Sequence, residues 1–244
     1  MTARLRPWPT SARERSEYVD SVFSRIAPKY DLVTKLLSLG QDDRWKAQVL
    51  AGFPSDRPIE RVLDLATGTG AIPILIRKAG FVARIVGLDR SRTMLSQARY
   101  KCAGFQAIEL VEGDLEGLPF AQSSFDVVTV GYGLRYVGDI AATLVEIRRV
   151  LRPGGVFIGL DFAIPSDRLH RSLCFGYLLA FGTLLGMLFH RRGDTYWHIV
   201  ESLRAFPGKR ALRRIMEEVG LTQVAIAVRL GGISVIARGV RRAT

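Results

Sequence analysis

From Glu60 to the carboxyl end the chain alternates short β-rich runs with helical ones, a rhythm that few folds accept. RVLDLA is followed by a helical stretch from about Ala71, and ARIVGLD by another from about Thr93. QAIELVEGD and SFDVVTVG come next, then a helix expected over Asp139–Leu151, a turn at Arg152–Gly155 and the run VFIGLDFA. A helix over Gly208–Val219 leads into LTQVAIAVRL and GISVIARGV, with Gly231-Gly232 reading as a hairpin turn between them. Strands separated by helix-length segments predict a doubly wound, mostly parallel α/β sheet. Ahead of it, Val22, Phe23, Ile26, Tyr30, Val33, Leu36 and Leu37 recur at helical spacing. Residues from about Ser11 to Leu50 therefore read as helical, with a break at Pro28. The expected division is an N-terminal helical cap over 1–58 and a ligand-binding α/β domain over 59–244, with a helical insertion over 166–205.

A chain of 244 residues can bury a full core as one domain with an appended subdomain. Its formal net charge of +12 implies an anionic partner: nucleic acid, an acidic lipid surface or a negatively charged substrate. The two cysteines, Cys102 and Cys174, offer neither a disulfide framework nor a metal-site spacing, which suits a reducing compartment. The N-terminal stretch MTARLRPWPTSARERSEYVD is basic but has no apolar core, so it does not read as a secretory signal.

The strongest local motif is VLDLATGTG, Val62 to Gly70. An apolar strand runs into a turn of small residues that lets a ligand approach the backbone at the strand's carboxyl end, where open α/β sheets bind ligands. No G-x-G-x-x-G is present and no Gly-Lys-Ser/Thr follows, so neither a dinucleotide nor a triphosphate is favoured. Asp89 ends the second strand nineteen residues after Gly70, where a carboxylate can accept both ribose hydroxyls. Asp114 ends the third strand in VEGDLEGLPF, placed to meet an adenine amino group. Alone, each acid reads more often as a solvated loop carboxylate or a helix cap; in order on consecutive strands, behind the glycine turn, they read as a nucleoside site.

The series DLATGTG, GLD, EGDLEGLPF, FDVVTV and LRPGG resembles the class I S-adenosylmethionine-dependent methyltransferases over about Arg61 to Phe162. The flanks VFSRIAPKYDLVTKLLSLGQDDRWK, GYGLRYVGD, LRPGGVFIGLDFAIP, DTYWHIVESLRAFP and GGISVIARG extend the likeness from about Val22 to Gly239. Together they resemble the ubiquinone/menaquinone biosynthesis C-methyltransferases, which methylate a ring carbon of a polyprenylated quinol. The resemblance implies a Rossmann-like seven-stranded sheet with helices on both faces. It also implies S-adenosylmethionine as cofactor, with Asp64, Thr67, Gly68, Thr69, Gly70, Asp89, Asp114, Leu115 and Gly131 around it.

On the acceptor side the resemblance points to Arg135, Tyr30 and His198. An arginine is a poor general base because its guanidinium stays protonated, so the role expected of Arg135 is to stabilise the phenolate-like oxygen of a quinol. Tyr30 is expected to close over the methyl donor, or else to staple the N-terminal helices. Four departures from the family pattern gather on the ring side: Tyr136 in place of asparagine, His198 in place of tyrosine, Asp161 in place of glutamate, and Val33-Thr34 in place of methionine-asparagine. His198 is either a titrating group beside the quinol or a packing residue.

Leu173–Phe189 holds seventeen residues without a charge, between Arg171 and the His190-Arg191-Arg192 run. About 20 apolar residues span a bilayer, and Gly176, Gly182 and Gly186 weaken an isolated helix here. A helix buried in protein or at a membrane interface is the expectation; in the light of the resemblance it becomes the lipid-facing wall of the site, with a core helix or a homodimer interface as the alternative. The expected partners are a lipophilic small-molecule substrate and, peripherally, the anionic inner face of the cytoplasmic membrane. Nucleic acid is not expected, because GYGLRY carries no Asn/Asp-Pro-Pro-aromatic motif and no basic run is interleaved with stacking aromatics. A methyltransferase of another hydrophobic acceptor, such as a phospholipid amine or a phenol, and a non-catalytic cofactor-binding scaffold both remain open.

Overall fold

A computed structural model describes residues 9, 12–165, 167–229 and 232–243. Ser11, Leu230 and Gly231, on which some sequence expectations fell, lie outside the described residues. Seven strands form one sheet: β1 Arg61–Leu65, β2 Arg84–Asp89, β3 Ile108–Glu112, β4 Phe125–Gly131, β5 Leu151–Phe162, β6 Leu221–Arg229 and β7 Ser234–Arg241. Their order is β3-β2-β1-β4-β5-β7-β6, with β7 antiparallel to both neighbours and the other pairs parallel. The order reverses between β1 and β4, so a crevice opens at the carboxyl ends of those two strands.

The residues explain this placement. β1, β2 and β4 are apolar along nearly their whole length and buried on both faces, as the interior strands of a parallel sheet must be. β3 and β6 alternate and carry polar residues, which suits the two edges. On one face Leu63, Leu65, Val128 and Val130 pack against α6 (Ile140–Val150) and α9 (Lys209–Glu218) through Leu144, Ile147, Leu212 and Met216. On the other, Val62, Val127 and Ile158 meet α3 (Asp42–Leu50) and α4 (Ala71–Lys78) through Trp45, Val49, Ile72 and Ile76.

The remaining helices cover the carboxyl ends of the strands. α1 (Ala12–Ile26) stops before a 3-10 turn over Ala27–Lys29, and α2 (Tyr30–Leu37) follows; Pro28 makes the break. α5 (Arg92–Cys102) begins at Ser91, whose side chain accepts from the Met94 amide. α7 (Arg168–His190) is capped by Asp167 and ends where Arg191 takes a left-handed conformation at φ +54°; α8 (Trp197–Ala205) follows it. Val22, Ile26, Val33 and Leu37 from the N-terminal helices pack with Leu185 of α7 and with Tyr196.

One expected boundary moves. Arg152–Gly155 was expected as a turn ahead of the fifth strand, but it lies inside β5. Leu151 pairs with Phe125 and the next registered pair is Val156 with Val127, so the Arg-Pro-Gly-Gly segment bulges out of an otherwise continuous strand. Gly154, at φ +76°, supplies the left-handed residue that such a bulge needs.

Candidate active site

The crevice at the strand-order reversal opens into a cleft. Gly68, Asp89, Asp114, Leu115, Gly131 and Tyr30 line it. Asp89 is buried, and its two oxygens accept the Gly68 amide at 2.8 Å and the Ser91 amide at 2.9 Å. It therefore ties the glycine turn to the end of β2, leaving further lone pairs for a ligand. Burial raises its pKa, with the two amide bonds acting in the opposite direction. A Cβ at Gly68, which sits at φ +56°, would have no neighbour nearer than 3.9 Å, so the space a side chain would take belongs to the cleft.

Four residues expected at the cofactor, Asp64, Thr67, Thr69 and Gly70, are engaged elsewhere. Asp64 accepts the hydroxyls of Thr67 at 2.7 Å and Thr129 at 2.6 Å beneath the turn, and burial pushes its pKa up to about 7. Thr69 donates to Asp31 at 2.7 Å, and Asp31 also pairs with Lys101, so α2 is latched to the glycine turn and to α5. Gly70, at φ +81°, packs against Cys102 and Ala98 of α5; a Cβ there would lie 2.8 Å from the Cys102 sulfur. These residues shape the turn. Asp114 falls two residues past β3, with 47% of its side chain exposed and Arg90 bridging it to Asp20 of α1.

A second, narrower pocket adjoins the first. Phe23, Tyr30, Tyr132 and Tyr136 line both, so one aromatic partition stands between them. Tyr132 takes φ +60°, an uncommon conformation for a bulky residue, and is held by a 2.9 Å bond from its hydroxyl to Asp42 and by stacking on Phe162. Nothing in the sequence marked Tyr132 beyond its place between Gly131 and Arg135; Asp42 lies ninety residues away.

Arg135 is at the floor of this pocket, buried, and pairs with Asp161 of β5. Its Nη2 donates to the Tyr136 hydroxyl at 3.1 Å, and its guanidinium lies 4.5 Å from the Tyr136 ring centre and 5.2 Å from that of Phe162. Burial works against its charge, but Asp161 and the surrounding phenols outweigh that and hold its pKa above the ordinary arginine value. Nε has no hydrogen-bond partner among the described residues.

His198 also lines the pocket and is buried against Phe23 and Tyr136. Its Nδ1 lies 2.9 Å from the Thr195 carbonyl oxygen, which can only accept. The proton is therefore on Nδ1 and Nε2 is left as an acceptor. Burial pushes the imidazole pKa down to about 3, with the Thr195 bond opposing and Arg135 adding to the fall. Val33-Thr34, Tyr136 and His198, three of the four family departures, all line this one pocket, and Asp161, the fourth, holds Arg135. The pocket shares Leu37, Phe162 and Leu178 with a third space, an open apolar groove along α7.

The profile of the ubiE/COQ5 methyltransferase family matches residues 11–241. The chain belongs to this family. It is an S-adenosylmethionine-dependent methyltransferase. Among relatives, the demethylmenaquinone methyltransferase of Staphylococcus aureus (strain Newman) is 33% identical over 228 residues, covering 93% of this chain and 94% of that one. Among solved structures, an S-adenosylmethionine-dependent methyltransferase of Thermotoga maritima is similar with a TM-score of 0.65 at 18% identity, covering 91% of this chain and 99% of that one. A Haemonchus contortus phosphoethanolamine N-methyltransferase, solved with S-adenosylhomocysteine, has a TM-score of 0.64 at 13% identity, covering 82% of this chain and 53% of that one. Both likenesses establish the fold, and the ubiE/COQ5 assignment rests on the family profile and the 33% relative.

Proposed function

We propose that this enzyme methylates a ring carbon of a polyprenylated quinol, either demethylmenaquinol or the demethylated precursor of ubiquinol. The observation that carries the reading is the narrow aromatic pocket that shares lining residues with the candidate cofactor cleft on one side and with an apolar groove on the other. A flat ring with a long apolar tail fits that sequence of spaces. Likeness to a demethylmenaquinone methyltransferase over nearly the full length of both chains supports the same acceptor class.

S-adenosylmethionine supplies an electrophilic methyl group on a sulfonium centre. Asp89 would hold its ribose, Gly68 would let it lie close to the backbone, and Asp114 with Leu115 would flank the adenine. In the ring pocket the guanidinium of Arg135 would be the donor to a quinol oxygen. A hydrogen bond from a permanent cation favours the phenolate form and so raises electron density at the neighbouring ring carbon. That carbon forms the new bond to the methyl group as the sulfur–methyl bond breaks and its electron pair returns to sulfur. The ring carbon then gives its proton to water, which restores the aromatic ring. At a pKa of about 3, His198 is too weakly basic to take that proton outright; its bare Nε2 holds the second quinol hydroxyl or the water that accepts the proton. Tyr30, whose phenol is kept protonated by burial, closes the partition between donor and acceptor.

The departures gathered in the ring pocket favour a second reading, in which the acceptor is another lipophilic phenol or amine. Both readings are tested by methyl transfer from labelled S-adenosylmethionine to reduced demethylmenaquinol and, in parallel, to the demethylated ubiquinol precursor, with product mass and ring position determined. Ring-carbon methylation of either supports the proposal and selects the pathway. Cofactor binding without transfer to either sinks it and turns the search to other membrane-soluble acceptors.

A further inference from the structure

Among the described residues, none covers the outer face of α7. Between Ser172 and Leu188 every residue is uncharged, and Leu169, Leu173, Leu184, Met187 and Leu188 are each between 56% and 68% exposed. A helix on the surface of a soluble protein ordinarily turns charged residues to water, and a contiguous apolar face marks an interaction site. The helix is about 34 Å long from its residue count. Charge is confined to its ends: Arg168 and Arg171 at one, Arg191 and Arg192 at the other, against Asp167 and Asp194.

We infer that α7 docks the enzyme on a bilayer of anionic lipid, lying flat with its leucines in the acyl boundary and its terminal arginines among the head groups. Complementary charge argues for that occupant, since the ends are basic and the whole chain carries +12. The other side of the helix packs on the protein, which favours lying flat over crossing. Leu178 and Leu185 are buried there, and a Cβ at Gly186 would lie 2.4 Å from the Arg192 carbonyl oxygen. The chain turns back at Arg191 and brings Tyr196 onto Gly182, where a Cβ would lie 3.2 Å from the tyrosine.

The groove supplies a second, independent reason. Leu173, Cys174 and Tyr177 of α7 form one of its walls, so it lies along the same helix that carries the exposed leucines, and it leads to Phe162 and Leu178 at the ring pocket. A lipophilic tail could pass from bilayer to ring pocket without crossing water. This point alone rests on the proposed acceptor; the docking face stands without it.

The test is co-sedimentation of the full chain with phosphatidylglycerol-containing vesicles and with phosphatidylcholine vesicles, for wild type, Leu184→Glu/Leu188→Glu and Arg168→Gln/Arg191→Gln. Wild type should bind the anionic vesicles, and more weakly as salt rises. The leucine variant should lose binding by about tenfold or more, and the arginine variant should bind both vesicle types equally weakly. Both should keep the wild-type rate on a short-chain, water-soluble acceptor, which also shows that they fold. The inference is overturned if wild type binds neither vesicle, or if the leucine variant binds like wild type. It is equally overturned if ultracentrifugation finds a wild-type dimer that Leu184→Glu/Leu188→Glu dissolves, since a second copy would then cover the face. Vesicle binding without turnover of either quinol would refute the acceptor and leave the docking intact; turnover without vesicle binding would do the reverse.

Discussion

Arg135 and Asp161 face each other as a buried ion pair, with 4% and 3% of their side chains exposed. Asp161 also accepts the Phe162 amide at 2.8 Å, so its carboxylate is fixed by the strand that carries it. Removing one partner of such a pair leaves an uncompensated charge and costs about 3–5 kcal/mol, whereas replacing both with apolar residues is often neutral. Arg135→Ala should therefore lower the melting temperature and abolish turnover together. Arg135→Met/Asp161→Leu should recover the stability and not the turnover. Thermal denaturation beside a methyl-transfer assay separates the two, and a double variant that regains activity would remove Arg135 from the chemistry.

Asp89 holds the Gly68 amide and offers its carboxylate to the cleft. Two hydrogen bonds to a charged group are worth about 1.5–3 kcal/mol each, so Asp89→Ala should weaken S-adenosylmethionine binding by about a hundredfold or more. Titration calorimetry gives the affinity directly. A change of less than about threefold would place the ribose elsewhere.

The Asp31 latch joins α2 to Thr69 and Lys101. Its ion pair is solvent-exposed and contributes at most about 1 kcal/mol, and the threonine bond adds about 1 kcal/mol. Asp31→Ala should leave the melting temperature within a few degrees of wild type. Hydrogen exchange over α2 should nonetheless quicken and cofactor dissociation should rise several-fold, because α2 carries Tyr30 over the cleft. Unchanged exchange there would show that packing alone holds the cap.

His198 and Asp64 give stability opposite pH dependences. The folded protein binds the His198 proton only near pH 3, whereas the unfolded chain binds it near 6.5, so this residue costs stability progressively as pH falls from 6.5 towards 3. Asp64, raised from 3.8 to about 7, takes up its proton earlier in the folded state and gains stability as pH falls through 7 towards 3.8. The slopes are at most about 1.4 kcal/mol per pH unit each and largely cancel in wild type. His198→Asn should expose the Asp64 slope, with denaturant midpoints rising as pH falls from 7 to 4. Asp64→Asn should do the reverse. Flat profiles in both variants would contradict the burial of these groups.

Much of the architecture was legible in the sequence. Apolar runs at strand length, helix-length intervals and small-residue turns are short-range signals, and they placed β1, β2, β4 and the turn from Thr67 to Gly70. The misplaced turn at Arg152–Gly155 shows where such signals stop: Pro and Gly mark a break, but whether the strand resumes as a bulge depends on its partner β4. The residues expected at the cofactor divided for the same reason. Asp89 and Gly68 line the cleft, whereas Thr69 turned to Asp31, thirty-eight residues earlier in the chain.

The sequence by itself determined the methyltransferase sheet, the position of its cofactor turn and the family, because periodicity, caps and turns act between near neighbours. Only the tertiary structure decided that Asp161 neutralises Arg135, that His198 is neutral with its proton on Nδ1, and that α7 is divided into a protein face and a bare one. Those properties arise from burial and from contacts between residues distant in sequence. Desolvation and charge pairing depend on what surrounds a group, and a linear pattern does not contain its surroundings.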